Sequence, residues 1–164
     1  MMKRKYIILL IIFCVLLALD QGTKLFIEHS FSLHEFREVI PGFFAITHVQ
    51  NTGAAFGLLA GLPEAATIFV IISLIAIAFI LAYFRWIKEG EVWAPLCLSL
   101  VLAGAVGNLI DRFRLGGVVD FLDFQYRGWH WPAFNVADAS ITIGVILLAI
   151  KILWGEKKEA KEEA

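Results

Sequence analysis

The sequence predicts an integral membrane protein of mainly α class: four transmembrane helices, a small extracytoplasmic β-rich element, and both termini in the cytoplasm. Three observations carry this reading. Of 164 residues, 60% are hydrophobic and 18% charged, with a mean hydropathy of +0.79, well above the roughly 45–50% apolar share of a soluble domain. Four apolar stretches, residues 6–27, 64–84, 92–110 and 136–154, match the ~20 helical residues needed to cross a hydrocarbon core of about 30 Å. Lysine and arginine divide between the two ends of these stretches, and basic short loops stay in the cytoplasm. The whole chain, residues 1–164, reads as one membrane domain.

The first span follows Lys3, Arg4 and Lys5, a pattern shared with cleavable signal peptides. No small-x-small cleavage site follows its apolar run; Asp20, Thr23 and Lys24 instead continue a helix at one-turn spacing, so a retained anchor is expected. Residues 28–63 form the first outer loop, in which residues 43–50 alternate in a β-rich run ended by Asn51, Gly53 and Gly57. A short hairpin or small sheet on the membrane surface is expected there. The second and third spans are joined by a short inner connection with Arg85, Lys88 and Glu91. The second outer loop, residues 111–135, opens with Arg112, Arg114 and the Gly116-Gly117 pair, and its Trp129 and Trp131 fit an interfacial belt. The tail, residues 155–164, carries Lys157, Lys158 and Lys161 among glutamates and reads as a solvated charged helix or disorder. Cys14 and Cys97 lie inside apolar spans and read as small buried hydrophobes.

Five aspartates, Asp20, Asp111, Asp120, Asp123 and Asp138, fall at the same end of these spans. A carboxylate near hydrocarbon costs roughly 2.5–3.5 kcal/mol on insertion scales, so their repetition points to a functional site at the outer rim. Local roles compete with function at several of them. Asn135 stands three residues before Asp138 and is placed to cap the fourth helix, with the carboxylate in its first turn. Asp111 has Arg112 and Arg114 as nearby partners, Arg112 suits the end of the third helix, and Asp20 lies one turn from Lys24. Asp120 follows Val118 and Val119 and precedes Phe121, where nothing local needs a charge; Asp123 is its competitor.

Two carboxylates at close range cannot both ionise, so such a pair supplies a base and an acid together. That suffices for peptide hydrolysis through water without a metal or a nucleophilic side chain. The histidines show no H-E-x-x-H pattern, leaving Asp120, Asp123 and His130 as a thin candidate for a divalent ion. No Gly-rich phosphate loop or G-x-S-x-G elbow is present, so no cofactor is called for. A net charge of −1 without a basic, aromatic-interleaved patch gives no footprint for nucleic acid. A transporter or proton relay would string acids across the bilayer, whereas the middle and inner halves of these spans hold no ionisable residue but Lys151. A lipid phosphatase or transferase would want a cationic cluster richer than Arg112 and Arg114.

Five segments in order resemble the bacterial lipoprotein signal peptidases, or signal peptidase II. Asp20-Gln21-Gly22-Thr23-Lys24 is similar to that family's D-x-x-[ST]-K, and Asn51-Thr52-Gly53-Ala54-Ala55-Phe56 to its N-x-G-A-A-F. Gly107-Asn108-Leu109-Ile110-Asp111-Arg112 resembles G-N-x-x-D-R, Val118-Val119-Asp120-Phe121 resembles V-V-D-F, and Phe134-Asn135-Val136-Ala137-Asp138 resembles F-N-x-A-D. Ala103-Gly104 stands where the family often has two glycines. The resemblance implies a membrane aspartyl endopeptidase of the bacterial cytoplasmic (inner) membrane with its site at the extracytoplasmic face. It implies a catalytic dyad of Asp120 and Asp138, with Asn51, Asn108, Arg112 and Asn135 lining the site and Asp20 and Asp111 in support. The implied substrate is a diacylglyceryl-modified prolipoprotein cut on the N-terminal side of its lipidated cysteine. A monomer is the default expectation, with membrane lipid as its surroundings.

Overall fold

A computed structural model describes residues 3–53 and 64–162, with side chains up to Trp154. In chain order the elements are α1 (Arg4–Ser30), β1 (Phe36–Ile40), β2 (Phe44–Asn51), α2 (Ala65–Trp86), α3 (Trp93–Leu115), β3 (Val118–Tyr126), β4 (Trp129–Phe134) and α4 (Val136–Glu162). Among the described residues four helices are long and apolar enough to cross a membrane. Ala54, Ala55, Phe56 and Gly57 of the first outer loop lie outside the described residues.

α3 is the central helix, packed against α1, α2 and α4. Its mean hydropathy of 1.8 is below the 2.1–2.9 of its neighbours, yet it is the helix most buried within the protein. Lipid tails are as apolar as leucine, so burial in a bilayer follows small size and close packing rather than hydrophobicity. Accordingly α3 buries Ala94, Cys97, Ser99, Ala103, Gly104, Ala105 and Gly107, while Ile11, Val15, Ile75, Phe79 and Ile146 on the outer helices face outward. A Cβ at Gly104 would strike the Ala137 carbonyl oxygen and lie 2.7 Å from Ile141 Cγ1, so α3 and α4 meet there backbone to backbone. Cys97 is buried, whereas Cys14 faces outward with the lipid-side residues.

The end of the bundle away from the sheet is closed by two buried or half-buried charges that finish helices. Lys5 Nζ donates to the carbonyls of Phe84 (3.1 Å), Arg85 (3.2 Å) and Ile87 (2.7 Å), satisfying the otherwise orphaned C-terminal end of α2. Glu91 accepts from the backbone N–H groups of Trp93 (3.2 Å) and Ala94 (3.3 Å) at the start of α3 and pairs with Lys151 of α4 at 2.8 Å.

At the other end the strands form one antiparallel sheet in the order β1-β2-β3-β4. This corrects two boundaries of the sequence reading. The third helix does not stop at residue 110: charges end the apolar count, but the backbone runs on to Leu115, where Gly116 takes the left-handed conformation (φ 70°) and donates to the Arg112 carbonyl. Asp111 and Arg112 are therefore helical, not in the loop. The second outer loop is itself half of the sheet, so Asp120 sits in a strand. β3 hides its strand character because Val118 to Phe121 are all buried and show no alternation. β4 hides its own behind Pro132, which falls in a register shift at the sheet edge. The hairpin between them turns through Arg127 (φ 51°) and Gly128 (φ 82°), the two positive-φ residues of a tight turn matched to strand twist.

Candidate active site

Four elements deliver the site to the junction of bundle and sheet. Asp120 comes from β3, Asp138 from the first turn of α4, Asn108 and Arg112 from successive turns of α3, and Asn51 from the end of β2. They line one small cavity of about 50 Å³, together with Gly53 and Val118. This exceeds the 10–15 Å³ or so that one water occupies. Beside it, a larger groove of about 470 Å³ runs between β4 and α4, lined by Trp131, Pro132, Phe134, Ile141 and Thr142 as well as Asp138.

Asn135 links the two carboxylates. Its Nδ2 donates to Asp120 Oδ1 at 2.7 Å, its backbone N–H donates to Asp138 Oδ2 at 3.4 Å, and its Oδ1 accepts the Asp138 N–H at 2.9 Å. The cap foreseen for α4 thus exists and is at the same time a bridge across the pair. The second Asp120 oxygen accepts from Asn51 Nδ2 at 2.9 Å, and Asn51 Oδ1 in turn accepts the Gly53 N–H at 3.0 Å. Asp138 Oδ1 accepts from Asn108 Nδ2 at 2.7 Å. Each asparagine presents its amide N–H₂ to a carboxylate while its oxygen is occupied by another donor.

Asp120 is 2% exposed. Burial first, and the neighbouring Asp138 carboxylate second, push it up to about 7, against the pull of the Asn51 and Asn135 amides and Lys24. A carboxyl poised there exchanges protons readily at neutral pH.

Asp123 is not a partner in this cavity. It is three residues from Asp120, and odd spacing along a strand turns side chains to opposite faces; its Oδ1 lies 3.3 Å from His130 Nδ1 on the exposed side. The candidate metal trio of Asp120, Asp123 and His130 is therefore split between two surroundings.

Asp20 and Asp111 lie beneath Asp120 and Asp138, with Lys24 between them. Lys24 Nζ is 2.9 Å from Asp20 Oδ2, 2.8 Å from Asp111 Oδ2 and 2.9 Å from Asn108 Oδ1, and all of its side chain is buried. Asp20 Oδ1 also accepts the Ala137 N–H of α4 at 2.9 Å, and Asp111 Oδ2 the Val119 N–H of β3 at 3.3 Å. The cluster ties α1, α3, α4 and β3 together directly under the site. Sequence reading saw Lys24 only as the helical neighbour of Asp20. Gln21, which no sequence pattern singles out, extends its Nε2 to Asp20 Oδ2 (3.1 Å), the Gly107 carbonyl (3.2 Å) and Asp111 Oδ1 (3.2 Å). Four-residue spacing signals the Asp20–Lys24 pair, but the contacts of Lys24 and Gln21 with α3 cross between helices and leave no trace in one sequence. Gly107 is required by the same packing, since a Cβ there would collide with the Asp20 carboxylate.

Arg112 Nη1 approaches the Asn108 carbonyl at 3.4 Å, and its guanidinium lies 5.2 Å from the Phe69 ring centroid. Its Nε is buried and has no hydrogen-bond partner among the described residues.

Fold and site together define a polytopic membrane protein with a paired-carboxylate centre at one end of its helix bundle. The chain belongs to the signal peptidase II family, whose model, described as signal peptidase (SPase) II, matches residues 12–154. It is 43% identical over 161 residues to the lipoprotein signal peptidase of Geobacter metallireducens, covering 98% of this chain and 99% of that one. With the lipoprotein signal peptidase of Syntrophus aciditrophicus it shares 45% identity, covering 97% and 100%. Among solved structures it superposes on a bacterial membrane enzyme determined by the in meso method at 2.3 Å resolution, with a TM-score of 0.83 and 38% identity over 92% of this chain and 90% of that one. The protein is a multi-pass bacterial membrane enzyme, an aspartic-type signal peptidase that removes signal peptides from prolipoproteins.

Proposed function

We propose that Asp120 and Asp138 are the catalytic pair, and that they cut diacylglyceryl-modified prolipoproteins on the N-terminal side of the lipidated cysteine. The observation that carries this is the shared cavity: two carboxylates joined by Asn135, one of them held near neutrality, around space for a water. The ionised member takes a proton from water as the water oxygen attacks the scissile carbonyl, and the protonated member donates to the developing oxyanion. The resulting gem-diol collapses with cleavage of the C–N bond, and a proton passes to the leaving amine. One proton is shared by the pair, which titrates as a unit. Asn51, Asn108 and Asn135 hold the carboxylates in register, and Arg112, whose Nε has no hydrogen-bond partner among the described residues, orients a substrate carbonyl. Asp20 and Asp111 support the site from below.

The distribution of Lys3, Arg4, Lys5, Arg85 and Lys88 at the end away from the sheet supports cytoplasmic termini, and hence a site at the extracytoplasmic face of the cytoplasmic (inner) membrane. The apolar groove beside Asp138 suits a substrate that arrives with its signal helix and acyl chains in the bilayer. The chain is read as a single membrane domain working as a monomer. The test is cleavage of a diacylglyceryl-modified prolipoprotein and its unlipidated form by purified protein with a chelator present. Cleavage of the lipidated form alone, before the cysteine, is expected; equal cleavage of both would refute the assigned substrate.

A further inference from the structure

We propose that Lys24 is a positioning residue of the reaction: its ammonium fixes the side-chain amide of Asn108 so that Nδ2 points at Asp138. This rests on the Asp120–Asp138 reading above and assigns what holds that pair's geometry.

The two ends of an asparagine amide are nearly the same size, so packing alone does not choose between them; hydrogen-bond chemistry does. For Asn51 and Asn135 the choice is made by main-chain N–H groups, Gly53 N–H and Asp138 N–H, each of which donates and so requires an oxygen opposite. Among the described residues the Asn108 amide has no such backbone partner. Its Oδ1 faces Lys24 Nζ at 2.9 Å and Asn135 Nδ2 at 3.2 Å. Lysine has three donors and no acceptor, and here all three are used, on Asp20, Asp111 and Asn108. A turned amide would set N–H₂ against the ammonium and a carbonyl oxygen against the Asp138 carboxylate, two repulsions in a buried site. Lys24 is itself held between two carboxylates from α1 and α3 and has no room to yield, being fully buried. The chain of contact from Lys24 through Asn108 to Asp138 spans 2.9 Å and 2.7 Å hydrogen bonds and needs no direct contact between Lys24 and substrate.

The experiment measures kcat and KM on a lipidated prolipoprotein for wild type, Lys24→Met, Asn108→Ala and the combined variant, with melting temperatures alongside. Losing one charge-assisted contact corresponds to a fall of about tenfold to a hundredfold in kcat. The expected result is such a fall in both single variants, with KM little changed and no further fall in the combined variant, because Lys24 acts through Asn108. Multiplied losses in the combined variant, or wild-type kcat in folded Lys24→Met, would overturn the proposal. If Lys24→Met does not fold, Lys24→Gln decides: it keeps an amide donor for the carboxylates below but loses the ammonium that fixes Asn108, so lost kcat in the folded variant is expected and wild-type kcat overturns the assignment. Asp120→Asn and Asp138→Asn in the same assay separate the two levels. Activity in either removes the dyad itself, whereas inactivity in both with retained kcat in Lys24→Met removes only the positioning role.

Discussion

Asp120 should make the enzyme less stable as the pH rises, and replacing it should weaken that dependence. Its carboxyl is raised from an ordinary value of 3.8 to about 7, chiefly by burial. Between those values the folded protein keeps a proton that the unfolded chain has released, so stability falls with rising pH across this window and levels off above it. Integrating between pH 5 and pH 8 gives a loss of about 2–3 kcal/mol, since one pKa unit corresponds to about 1.4 kcal/mol. For a chain of this size that is roughly 5–10 °C in melting temperature. Asp120→Asn turns one amide N–H₂ toward the donors of Asn51 or Asn135 and so lowers stability at every pH, but it has no proton to titrate. Thermal unfolding in detergent, followed by tryptophan fluorescence at pH 5, 6, 7 and 8, should show a steeper decline for wild type than for the variant. Parallel curves would refute the claim that Asp120 is held protonated by its surroundings.

The remaining expectations concern the scaffold. Gly104→Ala sets a methyl against the Ala137 backbone oxygen and should cost about 1–3 kcal/mol and part α3 from α4, reducing cleavage as well; Gly22→Ala, with nothing within 4 Å of the added carbon, should melt no lower than wild type. Lys5→Met leaves the carbonyls of Phe84, Arg85 and Ile87 without their shared donor and should lower the melting temperature, with kcat per folded molecule unchanged because the site is at the other end.

Much of this architecture is legible in the sequence because the bilayer restricts what can span it. Four apolar stretches become four helices, and the pairing of Asp20 with Lys24 and of Asn135 with Asp138 follows from spacing alone. What escaped is governed by tertiary packing. β3 lacks alternation because its first four residues are covered on both faces, and β4 carries a proline that only an edge bulge tolerates. The last turn of α3 is hidden because Asp111 and Arg112 end the apolar run, whereas Lys24 from another helix makes a buried aspartate tolerable there. The choice between Asp120 and Asp123 is a matter of which face of a strand meets the helices: the local residues leave Asp123 open as a competitor, and only the V-V-D-F resemblance points to Asp120.

The central claim is that Asp120 and Asp138 act as one chemical unit. Its most direct test is single-turnover cleavage of a diacylglyceryl-modified prolipoprotein by wild type, Asp120→Asn, Asp138→Asn and the double variant, each shown to be folded by its melting transition. Both single variants should be as inactive as the double variant, since removing either carboxylate removes the acid–base pair. Cleavage at the wild-type rate by either folded single variant would contradict the account.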